Sequence, residues 1–224
     1  YVKAARYDPA YRKRTHFWHE LGGALFGSHH YAFAADAYAR ALDLGADQFV
    51  QALRADAVMH AGRYAEAREL LSAFNASANA GAGEWRLKEV LLTAIVDGLQ
   101  INQQQRHADG ASEIAGSTAS MEDPVEVLAT LERARRADAL CALAWFNFGR
   151  AHLDLGQDED AFIDYLAAGL LGVDDPEAWV NAIALAFRFG RFDLLPDIIA
   201  TAHRFSQDQL TQQLVEFARA QGDD

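Results

Sequence analysis

The 224-residue chain is long enough to bury a substantial core without disulfide or metal staples, and at about 150 residues per domain it makes one large domain or two small ones. Its 51% hydrophobic and 23% charged residues exclude a wholly disordered polypeptide, and no run of 18 apolar residues is present for stable insertion in a membrane. Twenty basic residues against 32 acidic ones leave a net charge of -12, a field that repels phosphate backbones and argues against nucleic acid as the main partner.

Cys141 is the single cysteine and cannot close an internal disulfide, which suggests either a reducing compartment or no dependence on redox chemistry; a cytoplasmic location is expected. The chain opens at Tyr1 without a methionine, so an upstream segment is expected to have been removed or left out, and export stays open as the alternative.

In chain order, residues 1–14 carry Lys3, Arg6, Arg12, Lys13 and Arg14 against Asp8, a basic N-terminal helix or arm on an acidic body. Asp8 and Pro9 together form a helix-start signal. From Thr15 onward apolar residues recur three and four apart, as in Leu21 and Leu25 or Ala34, Tyr38 and Ala41, and no alternating stretch is bounded by hairpin turns. The periodicity predicts an all-α protein. Segments of roughly 12 to 15 residues break at Gly27, Gly62, Gly156 and Gly190, which predicts antiparallel helix pairs joined by short turns.

Two stretches, Asn75–Gly83 and His107–Asp123, lack that periodicity and read as loops. The second ends in Asp123-Pro124-Val125-Glu126, where aspartate caps, proline opens the helix and glutamate can return a bond; Asp175-Pro176 repeats the device. Gln207–Gln221 predicts a last helix whose polar face shields the end of the stack.

Residues 142–175, ALAWFNFGRAHLDLGQDEDAFIDYLAAGLLGVDD, resemble the 34-residue tetratricopeptide repeat along their whole length. Trp145, Phe148, Gly149, Gly156, Ala161, Tyr165 and Ala168 carry the likeness, while His152 stands where an aromatic is usual. A second copy follows 34 residues on, with Trp179, Gly190, Phe192, Leu195, Ile199 and Ala202, departing at Ala182 and Ile183. Another begins at Thr15, with Trp18, Leu21, Gly22, Leu25, Tyr31, Ala34, Tyr38 and Ala41. A weaker one begins at Gln48, where Gly62-Arg63-Tyr64 and Ala67 keep the turn but Gln51 replaces the aromatic.

The register gives repeats at 15–47, 48–81, 82–141, 142–175 and 176–206, flanked by the arm at 1–14 and a capping helix within 207–224. The third unit is overlong and carries an insertion at about 107–123 between a long helix from Glu84 to about Gln105 and a second from Pro124 to Arg136. The resemblance implies a right-handed α-solenoid in which Gly22, Ala34, Gly149 and Ala161 let helices approach, and Trp18, Tyr38, Trp145 and Tyr165 fill the space between them.

Catalytic chemistry finds little support. His19-Glu20 opens like a zinc-protease motif, but the second histidine, needed four residues after the first, is Gly23. His16, His19, His29 and His30 lack a thiolate and read as packing or solvated side chains, so no metal is expected. Asp158-Glu159-Asp160 lacks calcium-loop spacing and suits a helix start; Gly81-Ala82-Gly83 lacks the third glycine of a nucleotide loop. Cys141 has no placed base. Neither an enzyme activity nor a cofactor is expected.

The resemblance implies a non-catalytic scaffold or adaptor that takes a protein or peptide partner in a concave groove lined by the first helix of each pair. Counting from each tryptophan, it points to His19, Phe146, Asn147, Arg150, Asn181, Phe187 and Arg188 as groove residues, with Glu20, Gly23, Phe26, Ala52, Leu53, Asp56, Met59, His60, Leu153, Asp154, Val180 and Ala184 beside them. Asn147 and Asn181 are equivalent and can each offer a donor and an acceptor to a ligand backbone. The family's carboxylate clamp is matched only by the fragment Arg150 and Arg188, and the apolar groove positions favour a partly hydrophobic helix or peptide. Alternatives are a chaperone for a secreted or membrane protein, and the helical-repeat region of a larger enzyme or peptide-responsive regulator. The oligomeric state is not readable.

Overall fold

The computed structural model of the chain describes residues 9–77, 83–108, 124–173 and 175–205. Every regular element among the described residues is helical: a 3-10 turn, Pro9–Lys13, and ten α-helices. These are α1 Thr15–Gly27, α2 Tyr31–Asp43, α3 Phe49–His60, α4 Tyr64–Asn75, α5 Glu84–Ala108, α6 Pro124–Ala137, α7 Ala142–Asp154, α8 Asp158–Leu170, α9 Glu177–Arg188 and α10 Leu195–Phe205. Within the first unit α1 to α4, and within the second α6 to α10, are joined by short connections and pack on one another in chain order, as the resemblance implies. The chain divides into two compact units, Tyr1–Thr93 and Ala94–Asp224, and the division falls inside α5.

Three expected segments lie wholly or partly outside the described residues: the arm up to position 8, positions 109–123 of the insertion, and the helix at 207–221. Where the arm is described it forms the 3-10 turn, not the start of an α-helix, because Arg14 is extended (φ -95°, ψ 129°) and separates it from α1. Trp18 Nε1 donates to the Arg12 carbonyl at 2.7 Å and holds the turn against α1.

Glycine marks the tightest packing in both units. In the first, a Cβ on Gly22 would stand 2.6 Å from the Tyr38 ring, so α1 and α2 approach over a residue with no side chain. The next pair solves the same problem differently: Ala55 and Leu71, at the equivalent positions, are both fully buried. In the second unit, Gly149 receives Tyr165 (2.9 Å from a notional Cβ), and Gly169 on α8 receives the Trp179 indole of α9 (2.6 Å). Burying each such aromatic contributes roughly 1.5–3 kcal/mol, so these few contacts weigh heavily in each unit.

The turns within pairs use left-handed glycines at Gly62, Gly156 and Gly190, with φ of +79°, +70° and +64°. The first pair departs from this pattern. Gly27 is the last residue of α1, and the left-handed position falls on His29, φ +60°, which stands as far past Trp18 as Gly156 stands past Trp145. The last pair departs too: Phe192 does not open its second helix, which starts at Leu195. Pro196 explains the delay, since a proline is tolerated only in the first turn of a helix. Phe192 is left 58% exposed, its ring perpendicular to that of Phe187 at 5.4 Å.

Candidate functional site

In the second unit, the tryptophans set the rotation of α7 and α9. Trp145 is 1% exposed and its Nε1 donates to the Ala139 carbonyl at 2.8 Å; Trp179 is 2% exposed. Residues two, five and nine past each tryptophan lie on one stripe of a helix. On α7 these are Asn147, Arg150 and Asp154; on α9 they are Asn181, Ala184 and Arg188. All six are half-buried or exposed, whereas the positions three and four past each tryptophan (Phe148 and Gly149, Ala182 and Ile183) are buried. Leu153 and Phe187, eight past each tryptophan, are also exposed.

Tyr165 of α8 joins the two stripes. Its ring is buried on Gly149 and meets Phe146 at 5.8 Å and 74°, while its hydroxyl interacts with Arg150 and Asp154 of α7 and with Glu177 and Asn181 of α9. Burial first, and then the negative charge of Glu177, push its phenol up to about 12, against the pull of Arg150 and the Asn181 hydrogen bond. The hydroxyl therefore stays neutral at physiological pH and can both donate and accept. The Asn181 amide also reaches the Glu177 carboxylate at 3.5 Å. Arg188 pairs with Asp158 at the start of α8, 2.5 Å apart, in a first turn carrying Asp158, Glu159 and Asp160 that suits the helix dipole. Arg150 is exposed and has no ion-pair partner at salt-bridge distance among the described residues.

The residues singled out from the sequence do not all meet. Asn147, Arg150, Asn181, Phe187 and Arg188 lie on the exposed side of α7 and α9. Phe146, only 6% exposed, packs inward against Tyr165 and offers a ligand almost no surface. His19 belongs to the first unit, where it is half-buried with its ring 6.1 Å from Tyr38, lining an open depression of about 470 Å³ with Thr15, His16, Asp47 and Phe49. Ala52 and Met59, also placed on the groove side by counting, are buried.

The counting missed Tyr165, Glu177 and Asp158, because a residue filling the space between helices can still bring a polar tip to the surface. It also missed Lys88. In the first unit Lys88 Nζ lies 2.9 Å from Asp56 Oδ1 and 3.2 Å from Glu84 Oε1, over the Trp85 ring at 4.7 Å, with the lysine side chain 10% exposed. The signal available was a cation three residues after Trp85 and three and four before Leu91 and Leu92, on the apolar stripe of α5. Beside this group, burial and the charges of Asp56 and Glu20 raise the Tyr38 phenol, and burial lowers His60, which stacks on Tyr31 at 4.9 Å.

Among the described residues no cluster of three or more His, Cys, Asp or Glu is placed to hold a metal, and no helix is long and apolar enough to cross a membrane. Cys141 is half-buried at the N-terminal boundary of α7.

No family model matches the chain, and no curated protein sequence matches it. Solved structures similar to it include YrrB, described as a TPR protein with an unusual peptide-binding site (14% identity, 97% of each chain covered, TM-score 0.37). A MamA protein matches at 13% identity over 88% of this chain and 94% of its own, TM-score 0.38. TTC0263, a thermophilic TPR protein of Thermus thermophilus, matches at 19% identity over 92% of this chain and 98% of its own, TM-score 0.36.

Proposed function

We propose that the chain is a non-catalytic protein-interaction module, and that the stripe shared by α7 and α9 takes an extended peptide or a helix of a partner protein. One observation carries this reading: Asn147 and Asn181 hold register-matched, half-buried positions on successive first helices, and Asn181 and the exposed Arg150 act on the neutral Tyr165 hydroxyl between them. Carboxamides offer a donor and an acceptor together, which is what a peptide backbone needs, and Arg150 supplies a cation for a carbonyl or carboxylate. Leu153 and Phe187, exposed beside them, suit an apolar side chain of the ligand.

The test is selection from a random peptide display library with the whole chain. Selected peptides are then measured by fluorescence anisotropy against the wild type and an Asn147→Ala/Arg150→Ala/Asn181→Ala variant of unchanged circular dichroism. The reading expects at least a tenfold loss of affinity in the variant. Equal affinity for both proteins places binding elsewhere and removes these residues from the site.

A further inference from the structure

One buried titratable pair in the second unit has no part in the binding stripe. His152 of α7 and Asp164 of α8 meet side by side, Nδ1 to Oδ2 2.5 Å, with side chains 19% and 6% exposed. The Phe148 ring stacks on His152 at 5.7 Å and 24°, and the Arg135 guanidinium of α6 lies over the Phe148 ring at 5.2 Å and over Trp145 at 5.0 Å. The pair therefore sits where α6, α7 and α8 come together.

The repeat register shows how unusual this is. The position of His152 is held by Leu25, Val58 and Ala186 in the copies at 15–47, 48–81 and 176–206, and the position of Asp164 by Ala37, Leu70 and Ile198. Both halves of one apolar contact are replaced together by an acid and a base, and only in this repeat. A buried carboxylate is costly unless it is paired, so the contact is favourable only while His152 supplies a charge or a strong donor.

We propose that His152 and Asp164 form a proton-linked latch between α7 and α8, which clamps the helix pair while His152 is protonated and loosens it when that proton is lost. The groups facing the pair are Asp160 on α8 and Arg135 on α6, the latter held by Glu132 at 2.7 Å. Burial works to lower His152, but the hydrogen bond and charge of Asp164, together with Asp160, outweigh it and leave the imidazole raised; Arg135 opposes them. A group raised on folding stabilises fully below its unfolded value, about 6.5 for histidine, and that contribution disappears as pH rises through the folded value. The latch thus weakens as pH rises above the ordinary histidine value of about 6.5.

Two measurements test it on the whole chain. Thermal unfolding is compared at pH 6 and pH 9 for the wild type and for His152→Leu/Asp164→Ala, which copies the Leu25 and Ala37 contact of the first repeat. The latch requires the wild type to lose at least about 3 °C more than the variant over this interval. Equal losses overturn it. Independently, the imidazole resonances of His152 in the wild type, assigned by their disappearance in His152→Gln, are followed against pH. A midpoint above about 6.5 supports the latch, and one at or below that value overturns it even if the double variant does not fold.

Discussion

Replacing Gly149 by alanine sets helix propensity against packing, and the structure allows both to be estimated. The new Cβ would stand 2.9 Å from Cγ of Tyr165 and 3.0 Å from each Cδ, well inside the roughly 3.5–4.0 Å at which carbon atoms pack. The ring cannot retreat easily, because it is 1% exposed, Phe146 meets it, and its hydroxyl is tied to Asn181. Overpacking of this kind costs about 1–3 kcal/mol, while alanine in place of a mid-helix glycine returns about 1 kcal/mol, so a net loss of up to about 2 kcal/mol is expected.

The sign should invert when Tyr165 is leucine. The second repeat already holds Ala55 and Leu71 at the matching positions, both buried. Tyr165→Leu alone should cost about 2–4 kcal/mol for the lost ring, but adding Gly149→Ala to it should restore about 0.5–1 kcal/mol. Urea unfolding of the four proteins, followed by far-ultraviolet circular dichroism, gives the coupling energy directly. If Gly149→Ala costs the same in both backgrounds, the close approach of Tyr165 is not what requires glycine.

Further expectations follow from single contacts. Lys88→Met keeps the chain length but removes the cation from Asp56, whose side chain is 14% exposed, so urea unfolding should show a loss of about 3 kcal/mol. His29→Gly should stabilise by roughly 0.5–1 kcal/mol through relief of its left-handed backbone, less the exposed bond between His29 Nδ1 and the Tyr31 hydroxyl; Gly156→Ala should destabilise by about 1 kcal/mol. Gly169→Ala should cost about 1–3 kcal/mol and shift tryptophan fluorescence, because its Cβ would enter the Trp179 indole; an unchanged spectrum and stability would contradict that packing.

What the sequence reveals and what it hides have the same physical origin. Helix pairing is legible because burial imposes a period, and Gly22 with Tyr38 or Gly149 with Tyr165 can be matched at a fixed separation without coordinates. Rotation about a helix axis is less legible. Phe146 and Asn147 differ by one residue, or about 100°, and that step decides between a ring buried on Tyr165 and a half-buried amide. Counting from the tryptophan groups Phe146 with Asn147, because the neighbouring helix that covers Phe146 contributes nothing to a count along α7. The same blindness hides Tyr165, whose polar end emerges between two helices that follow and precede it by many residues.

Departures from the register are the remaining source of information, and they sort by chemistry. Where a repeat exchanges one apolar residue for another, as with Gly149 and Tyr165 against Ala55 and Leu71, the contact survives through volume compensation and implies no new property. Where an apolar position becomes charged, volume cannot compensate, and a partner of opposite charge has to appear across the interface. Lys88 finds Asp56 and Glu84, and His152 finds Asp164. Each such pair couples the packing of one helix contact to its protonation or to the integrity of its partner, which the apolar contacts of the other repeats do not. A repeat protein built for stability alone gains nothing from such pairs, since well-packed apolar residues do as well or better. The presence of the His152–Asp164 pair in a single repeat is therefore the strongest reason to look for conditions, pH first, under which one helix pair loosens before the rest.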